Sequence, residues 1–191
     1  MDGLRARLAS RNANKARELE RLLPGWRIEV LPADEYPPEA GETYYDNARI
    51  KAAYGLEVAD RPAWVLGEDS GLEVEGLAGG PGVRSARSGG DDPVGWLLAQ
   101  LQGRTGDARR ARYISELVGL SPDGREVRGT GTLAGSIGEE PRGSEGFGFD
   151  PVFVPNGENE TVAQLGNEWK ARSSHRANAA RAFLTALGEP G

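Results

Sequence analysis

Cysteine is absent from the 191-residue chain, and histidine occurs once, as His175. Without thiols the protein has no disulfide, no Cys-ligated zinc, no iron–sulfur cluster and no thiolate nucleophile. A single histidine also excludes a metal centre built from several imidazoles. No apolar run approaches the roughly 20 residues that span a bilayer, and no secretory signal peptide opens the chain. We therefore expect no membrane partner and a cytoplasmic location.

Basic residues are fewer than acidic ones, 23 against 29, which gives a net charge of −6. Since nucleic-acid-binding domains are usually basic, we expect no nucleic acid as a partner. Lysine is especially rare, and the chain contains only Lys15, Lys51 and Lys170. An ammonium is a compact point charge that arginine does not copy, so each of these lysines is a functional candidate.

Glycine is abundant, with 28 residues in discrete clusters between apolar stretches. This is about twice the usual share of 7%. Backbone that turns tightly or approaches a ligand closely is the usual reason for such clusters. The length predicts a single domain over 1–191, built of at most two lobes.

Strand and helix patterns alternate along the first third of the chain, as is typical of an α/β fold. Asn12 is a good N-cap, and Thr43 with Asp46 forms a plausible capping box. We predict a strand over 4–9, a helix from Asn12 to Pro24, a strand over 27–31, a helix from Thr43 to about Val58, and a buried strand over 63–66.

Strand patterns dominate the middle of the chain, where a strong turn signal at 121–124 predicts a hairpin. We predict a half-exposed strand over 72–75, a glycine-rich loop over 76–90, a short helix over 93–101, strands over 111–120 and 126–137, a strand over 152–154, and a last helix from Ser174 to Leu187.

The first candidate site lies between the first strand and the first helix. Its residues are Ser10, Arg11, Asn12, Ala13, Asn14 and Lys15. A helix N-terminus offers unpaired N–H groups and partial positive charge, so it binds phosphate readily. The alternative is an ordinary capped helix with an exposed lysine.

The second candidate is the segment 67–71, which directly follows the predicted buried strand and contains Glu68 and Asp69. Ligand sites of open α/β sheets lie outside the carboxyl ends of strands. With Glu39 and Glu42 on the preceding loop, these carboxylates could bind Mg²⁺, which prefers oxygen ligands. The alternative is an acidic turn.

The third candidate is the glycine loop 146–151, which carries two aromatic rings. An exposed ring suits stacking on a nucleobase. For Phe147 the pattern favours an anchor in the core, and for Phe149 core and base remain equal alternatives.

The fourth candidate is Lys170 with the segment 174–176, interpreted as the start of the last helix. Cations there oppose the helix dipole, which suggests an anionic or electron-rich ligand opposite them. The alternative is a solvated basic stretch.

Five blocks in order along the chain, taken together, resemble the Ham1-type inosine triphosphate pyrophosphatases, also called non-canonical purine NTP pyrophosphatases. Glu68 stands where the family more often has aspartate, and Phe149 where it more often has tyrosine. The matching blocks are Ser10-x-Asn12-x-x-Lys15, Glu39-x-Gly41 with Asn47 and Lys51, Glu68-Asp69-Ser70-Gly71-Leu72 with Ser85-Ala86-Arg87, the run 146–153, and Lys170 with Ser174-His175-Arg176.

The resemblance implies an elongated mixed sheet flanked by helices, with two lobes and a central nucleotide cleft. It implies hydrolysis of ITP, dITP and XTP to the monophosphate and pyrophosphate, with Mg²⁺ as cofactor. It also implies a homodimer, for which Trp96 and Leu97 offer a candidate apolar patch if they are exposed.

The resemblance also assigns roles to the candidate residues. The segment 10–15 would bind phosphates, Glu39 and Asp69 would hold Mg²⁺, and Asp69 would activate the attacking water with Glu68 as its helper. Phe149 would stack on the purine while donors face its O6 atom, an acceptor that adenine replaces with an amino group. Asp150, Lys170, His175 and Arg176 would line the edge of the purine, and the other predicted substrate-binding residues are Ser70, Phe147 and Gly148.

Two other interpretations remain open at this point. A Maf-type pyrophosphatase shares the implied fold and opens with a similar strand-to-helix motif, although the run 146–153 and the segment 174–176 disfavour it. A non-catalytic nucleotide-binding module would keep Lys15 and Phe149 but lose the carboxylates, and both Glu39 and Asp69 are present.

Overall fold

Strands and helices alternate in the computed structural model, which describes residues 4–32, 36–59 and 63–188. The predicted mixed α/β class is confirmed, because parallel and antiparallel strand pairs share the sheet order β2-β1-β3-β5-β6-β7, with β4 on β3. The elements are β1 (Leu4–Leu8), α1 (Ala13–Leu22), β2 (Trp26–Val30), α2 (Tyr44–Val58), β3 (Trp64–Val74), β4 (Pro81–Gly82), α3 (Pro93–Gln100), β5 (Arg110–Leu120), β6 (Glu126–Ile137), β7 (Phe153–Pro155), α4 (Val162–Ser173) and α5 (His175–Leu187).

The chain divides into two compact units. Unit 1 contains the described residues of 1–69, 115–131 and 176–191. Unit 2 contains those of 70–114 and 132–175. Strands β3, β5 and β6 therefore each contribute residues to both units. Within the described ranges, no helix combines the length and the apolar character needed to cross a membrane.

Unit 1 is built on a parallel pairing of β1 with both β2 and β3. The predicted cap of α1 is confirmed, since Asn12 accepts from the backbone N–H groups of Asn14 and Lys15. The apolar face of α1 and the last helix pack on this part of the sheet. The buried core consists of Ala6, Leu8, Ala16, Leu19, Leu23, Trp26, Ile28, Leu66, Leu117, Val127, Ala179, Ala180, Phe183 and Leu184.

Helix α2 lies directly against the backbone of β3. The predicted capping box of Thr43 and Asp46 starts this helix. Gly67 permits the close approach, since a Cβ built on it would lie 1.9 Å from the carbonyl oxygen of Ala48. The crossing fixes which α2 side chains face the residues that follow Gly67 in β3.

Unit 2 has its own core around the second half of β3, where Leu72 pairs with Gly82 of β4. On the other edge, Ile137 of β6 pairs antiparallel with Phe153 of β7. The buried core consists of Leu72, Val74, Leu97, Leu101, Ala111, Tyr113, Ile137, Phe149, Val152, Phe153 and Val162.

The structure corrects the prediction that a strand ends at Leu66 and a loop or acidic turn follows. Strand β3 continues to Val74, so the segment 67–71 and the separately predicted strand over 72–75 belong to one element. Carboxylates are unusual inside a buried strand because burying a charge is costly unless it is paired. Here Lys15 pairs with Glu68 and Lys51 with Asp69, so the strand runs through them.

Helix α4 was not predicted, and its presence changes the setting of Lys170. Lys170 lies in the last turn of α4 rather than at the start of the last helix. A positive charge is favourable there, since the C-terminus of a helix carries partial negative charge. The dipole argument for a ligand opposite Lys170 is therefore wrong, and any such role needs support from its own contacts.

Candidate functional site

Lys51 joins the two carboxylates that were predicted to hold metal. Its Nζ lies 2.5 Å from Glu39 Oε1 and 2.9 Å from Asp69 Oδ1. Asn47, one turn earlier on α2, donates from Nδ2 to Asp69 Oδ2 at 3.1 Å. We call these four residues the Asp69 cluster. All of them belong to unit 1.

Lys51 and Asn47 were not among the predicted site residues. Their signal was present in the sequence, because residues four apart lie on the same face of a helix. Both stand in the second resembling block, and Lys51 is one of only three lysines. The sequence could not show that this face meets Asp69, which depends on the crossing of α2 at Gly67.

Burial sets the protonation behaviour of the Asp69 cluster. Asp69 is 4% exposed, and this burial raises its pKa although Lys51 opposes the shift. Burial disfavours the charged form of Lys51, yet Asp69 and Glu39 together raise the pKa of its ammonium. The result is an aspartate that accepts a proton more readily than an exposed one and a lysine that stays charged.

Glu68, the neighbour of Asp69, has no exposed surface and accepts from three donors. Its Oε2 lies 2.6 Å from Lys15 Nζ, and its Oε1 accepts from Arg176 Nη2 at 3.1 Å and from Ser115 Oγ at 2.9 Å. Arg176 also donates to Glu18 of α1. We call these five residues the Glu68 cluster, which also belongs to unit 1.

Glu68 is held as a carboxylate. Its burial would raise the pKa, but Arg176 and Lys15 outweigh that effect and hold the pKa of Glu68 well below its usual range. Arg176 itself is 2% exposed, and Glu68 and Glu18 raise its pKa against the effect of burial. The guanidinium of Arg176 thus organises carboxylates, whereas the sequence predicted a role at the purine edge.

The predicted phosphate-binding segment lies at the N-terminus of α1, as expected. Asn12 Oδ1 accepts from Asn14 N at 3.0 Å, and Ser10 Oγ accepts from Asn12 N at 3.1 Å. Arg11 is exposed, with its guanidinium 5.5 Å from the centre of the Tyr36 ring. The ammonium of Lys15 is directed to Glu68. The structure therefore gives this segment both a helix end and a paired cation.

The Asp69 cluster fits magnesium only in part. Glu39 and Asp69 converge on one cationic atom, Lys51 Nζ, and they supply the hard oxygen ligands that Mg²⁺ prefers. No group of three His, Cys, Asp or Glu side chains in the described ranges could hold a metal ion. Two carboxylates suit a magnesium that arrives with phosphate ligands rather than one caged by protein alone.

A second polar cluster lies in unit 2 and gathers four of the predicted substrate-binding residues. Asp150 Oδ2 accepts from Lys170 Nζ at 2.8 Å and from the backbone N of Phe147 at 2.9 Å. Lys170 Nζ also lies 4.6 Å from the centre of the Phe147 ring. The His175 ring stacks on that of Tyr113, with centroids 4.5 Å apart. We call these five residues the Asp150 cluster.

The sequence pattern favoured the core for Phe147 and left Phe149 open between core and base, while the family resemblance implied stacking by Phe149. Phe149 is 4% exposed and packs in the core of unit 2, whereas Phe147 is half-buried beside Lys170. A ring enclosed by core side chains offers no face to a base, so stacking by Phe149 is not supported. Gly148 adopts φ +63° between the two rings, and Ser70 is half-buried in β3.

A sequence model of the Ham1 family matches residues 6–186, a range that includes every residue of the three clusters. The chain belongs to the Ham1 family. The dITP/XTP pyrophosphatase of Thermus thermophilus is 43% identical over 192 residues, which cover 96% of this chain and 92% of that protein. The dITP/XTP pyrophosphatase of Deinococcus deserti is 42% identical over 193 residues, which cover 96% of this chain and 91% of that protein.

A solved Ham1 structure agrees with this assignment. The Ham1 protein of Staphylococcus aureus superposes with a TM-score of 0.82 at 31% identity, and the match covers 96% of this chain and 98% of that one. Ham1 membership confirms the family resemblance drawn from the five blocks. It also removes the Maf-type interpretation, since the match spans both units.

Proposed function

We propose that this protein hydrolyses non-canonical purine nucleoside triphosphates, namely ITP, dITP and XTP, to the monophosphate and pyrophosphate. The observation that carries the proposal is the Asp69 cluster, a buried carboxylate of raised pKa beside Lys51 and Glu39. The names of the Thermus and Deinococcus relatives support the choice of substrate. Such an enzyme clears deaminated purines from the nucleotide pool.

Unit 1 supplies the groups suited to phosphate. The helix end at 10–15 offers backbone donors and Lys15 a point charge. Glu39 and Asp69 are the residues that would hold Mg²⁺, which when bound neutralises charge on the phosphate under attack. Positioning and charge stabilisation account for most of the catalysis of phosphoryl transfer, so a covalent nucleophile is not required.

Asp69 is the residue that we assign to the attacking water. A carboxylate whose pKa is raised by burial is a better proton acceptor than an exposed one. Lys51 and Asn47 bind its two oxygens and so fix the orientation of the carboxylate. Glu68 acts indirectly, because its ion pair with Lys15 holds that lysine beside the N-terminus of α1.

Unit 2 supplies the groups suited to the base. Lys170 and His175 are donors that would bind O6 of hypoxanthine or xanthine, and half-buried Phe147 replaces Phe149 as the ring for stacking. Adenine presents an amino group at position 6, so binding ATP would leave buried donors unpaired, which is costly. This asymmetry is the proposed basis for rejecting ATP.

Pyrophosphate release from ITP, XTP, GTP, ATP and dTTP with Mg²⁺ tests the function. We expect ITP and XTP to be hydrolysed fastest, and Asp69→Asn to lower that rate by a factor of at least about 100 while the protein stays folded. Glu39→Gln should raise the Mg²⁺ concentration that gives half-maximal activity, whereas Glu42→Gln, at an exposed position three residues along, serves as its matched control. Full activity in EDTA, or no preference for ITP and XTP, would contradict the proposal.

We also propose a homodimer and a cytoplasmic location, which rest on the family resemblance and the sequence. The patch suggested for the dimer is not supported at Leu97, which is fully buried, whereas Trp96 is half-buried against the same core. Light scattering at micromolar concentration should give twice the chain mass of 20.4 kDa. A monomer mass would remove the dimer, and cell fractionation would test the location.

A further inference from the structure

Tyr113 contacts His175, which is proposed to recognise the base, and Asp150, which accepts from Lys170, although neither the sequence patterns nor the proposed function gave Tyr113 a role. It lies in β5 and is 7% exposed. Its ring is stacked on His175 with an interplanar angle of 11°, and its hydroxyl lies 3.5 Å from Asp150 Oδ1.

The stacking controls where His175 can donate. The N–H bond of an imidazole and the lone pair of its other nitrogen both lie in the ring plane, so the orientation of that plane decides which ligand atoms the ring can reach. A parallel neighbour at 4.5 Å restricts rotation of the imidazole about its second side-chain torsion, which is otherwise soft. His175 is 6% exposed, and rings this enclosed reorient only with their neighbours.

The aromatic ring of Tyr113, rather than its hydroxyl, restricts the orientation of the His175 imidazole. The contact of 3.5 Å with Asp150 is long for a hydrogen bond between two oxygens, whose usual distance is about 2.7 Å. Asp150 is already held by Lys170 and by the backbone N of Phe147. Removing the hydroxyl should therefore change little, whereas removing the ring should free His175.

We propose that Tyr113 is a positioning residue for base recognition, whose ring fixes the imidazole plane of His175 toward O6 of the purine. This role rests on the proposed function, in which Lys170 and His175 are the donors to the base. Tyr113 acts through His175 and is not itself assigned any contact with the nucleotide.

Two substitutions separate the ring from the hydroxyl. Tyr113→Phe keeps the stacking surface, and Tyr113→Leu removes it. Since Tyr113 is part of the unit 2 core, Tyr113→Leu also loses packing, and Phe153→Leu is the matched control for that loss. Phe153 belongs to the same core, and its ring centre lies 4.6 Å from that of Tyr113.

A structural readout is available without activity, because His175 is the only histidine in the chain. Its imidazole protons therefore give one unambiguous set of NMR signals. We expect the ring current of Tyr113 to shift them upfield in the wild type and in Tyr113→Phe, and the shift to disappear in Tyr113→Leu. Phe153→Leu should retain it. Unchanged signals in Tyr113→Leu would overturn the stacking.

The kinetic readout is the ratio of kcat/KM for ITP to that for ATP. We expect this ratio to stay within about twofold of wild type in Tyr113→Phe and Phe153→Leu, and to fall about tenfold in Tyr113→Leu. Thermal melts would show both leucine variants to be less stable, so a change in stability alone cannot produce the pattern.

The outcomes distinguish this inference from the proposed function. A wild type with no preference for ITP over ATP would overturn the proposed function and the recognition role of Tyr113 together. A wild type that prefers ITP, combined with full preference in Tyr113→Leu, would overturn the role of Tyr113 alone. Equal losses in Tyr113→Phe and Tyr113→Leu would also overturn it, because they would assign the effect to the hydroxyl.

Discussion

Glu68 is a fully buried charge, and the free-energy cost of burying it depends on its charged and hydrogen-bonding partners. Desolvation of two ions often offsets their attraction, so a buried pair is weak evidence of net stabilisation. Removing one partner is different, because the other charge then remains buried without compensation. In the Glu68 cluster, Lys15 and Arg176 provide the two positive charges and Ser115 a neutral donor.

Arg176→Ala should therefore lower the free energy of unfolding by about 3–5 kcal/mol. The matched control is Arg112→Ala, because Arg112 also binds a glutamate, Glu73, but at the surface with 59% of its side chain exposed. That change should cost less than about 1 kcal/mol. Urea denaturation measures both. A near-wild-type stability for Arg176→Ala, with a changed preference between ITP and ATP, would return Arg176 to the base-binding role that the sequence predicted.

Glu68→Gln tests the lowered pKa of this carboxyl through acid stability. A group whose folded pKa is depressed stabilises the protein above its unfolded pKa, and that contribution is lost as the pH falls toward the folded value. Wild type should therefore lose its advantage over Glu68→Gln as the pH drops below about 4.5, the ordinary range of a glutamate. Urea titrations at pH 7 and pH 4 compare the two proteins. A difference in stability that is the same at both values would contradict the assignment.

Most elements could be predicted because their signals are local. The caps of α1 and α2, the hairpin turn between β5 and β6, and the last helix all follow from short patterns, and the structure confirms them. Helix α4 was missed although Thr161 and Gln164 form a capping box. Gly166, with a φ of +82°, breaks α4 into two short helical segments across a kink, and neither segment is long enough to show a clear helical periodicity.

Long-range contacts account for what local patterns could not supply. The extent of β3 depends on cations that approach from α1 and α2, so Glu68 and Asp69 resembled a turn when considered alone. The resemblance identified most residues of the Asp69, Glu68 and Asp150 clusters, but it gave no reason to expect Glu18 or Ser115. In the Glu68 cluster, Glu18 contacts Arg176 and Ser115 contacts Glu68, and each pair is separated by more than 40 residues along the chain.

Gly67→Ala tests the contact between α2 and β3 that sets the Asp69 cluster. Because the new methyl would overlap the carbonyl oxygen of Ala48, the helix has to shift, and we expect a loss of about 3 kcal/mol in unfolding free energy. Gly138→Ala is the matched control, since the nearest atom to its Cβ would be 3.5 Å away. Urea denaturation should find the control near wild type. Equal stability of the two variants would contradict the close contact.

At the scale of the whole molecule, a protein with a net negative charge has to bind a highly anionic ligand. All three lysines contact carboxylates, Lys15 with Glu68, Lys51 with Glu39 and Asp69, and Lys170 with Asp150. The net charge of −6 therefore coexists with fixed cations in both units.

The central claim of the proposal is that water attacks the α-phosphorus of a purine nucleoside triphosphate, as the family resemblance implies, in a reaction that depends on Asp69. Hydrolysis of ITP in ¹⁸O-labelled water, followed by mass spectrometry of the products, tests it most directly. The account predicts one labelled oxygen in IMP, unlabelled pyrophosphate, and little product of either kind from Asp69→Asn. Label in pyrophosphate, or release of orthophosphate with IDP, would contradict it.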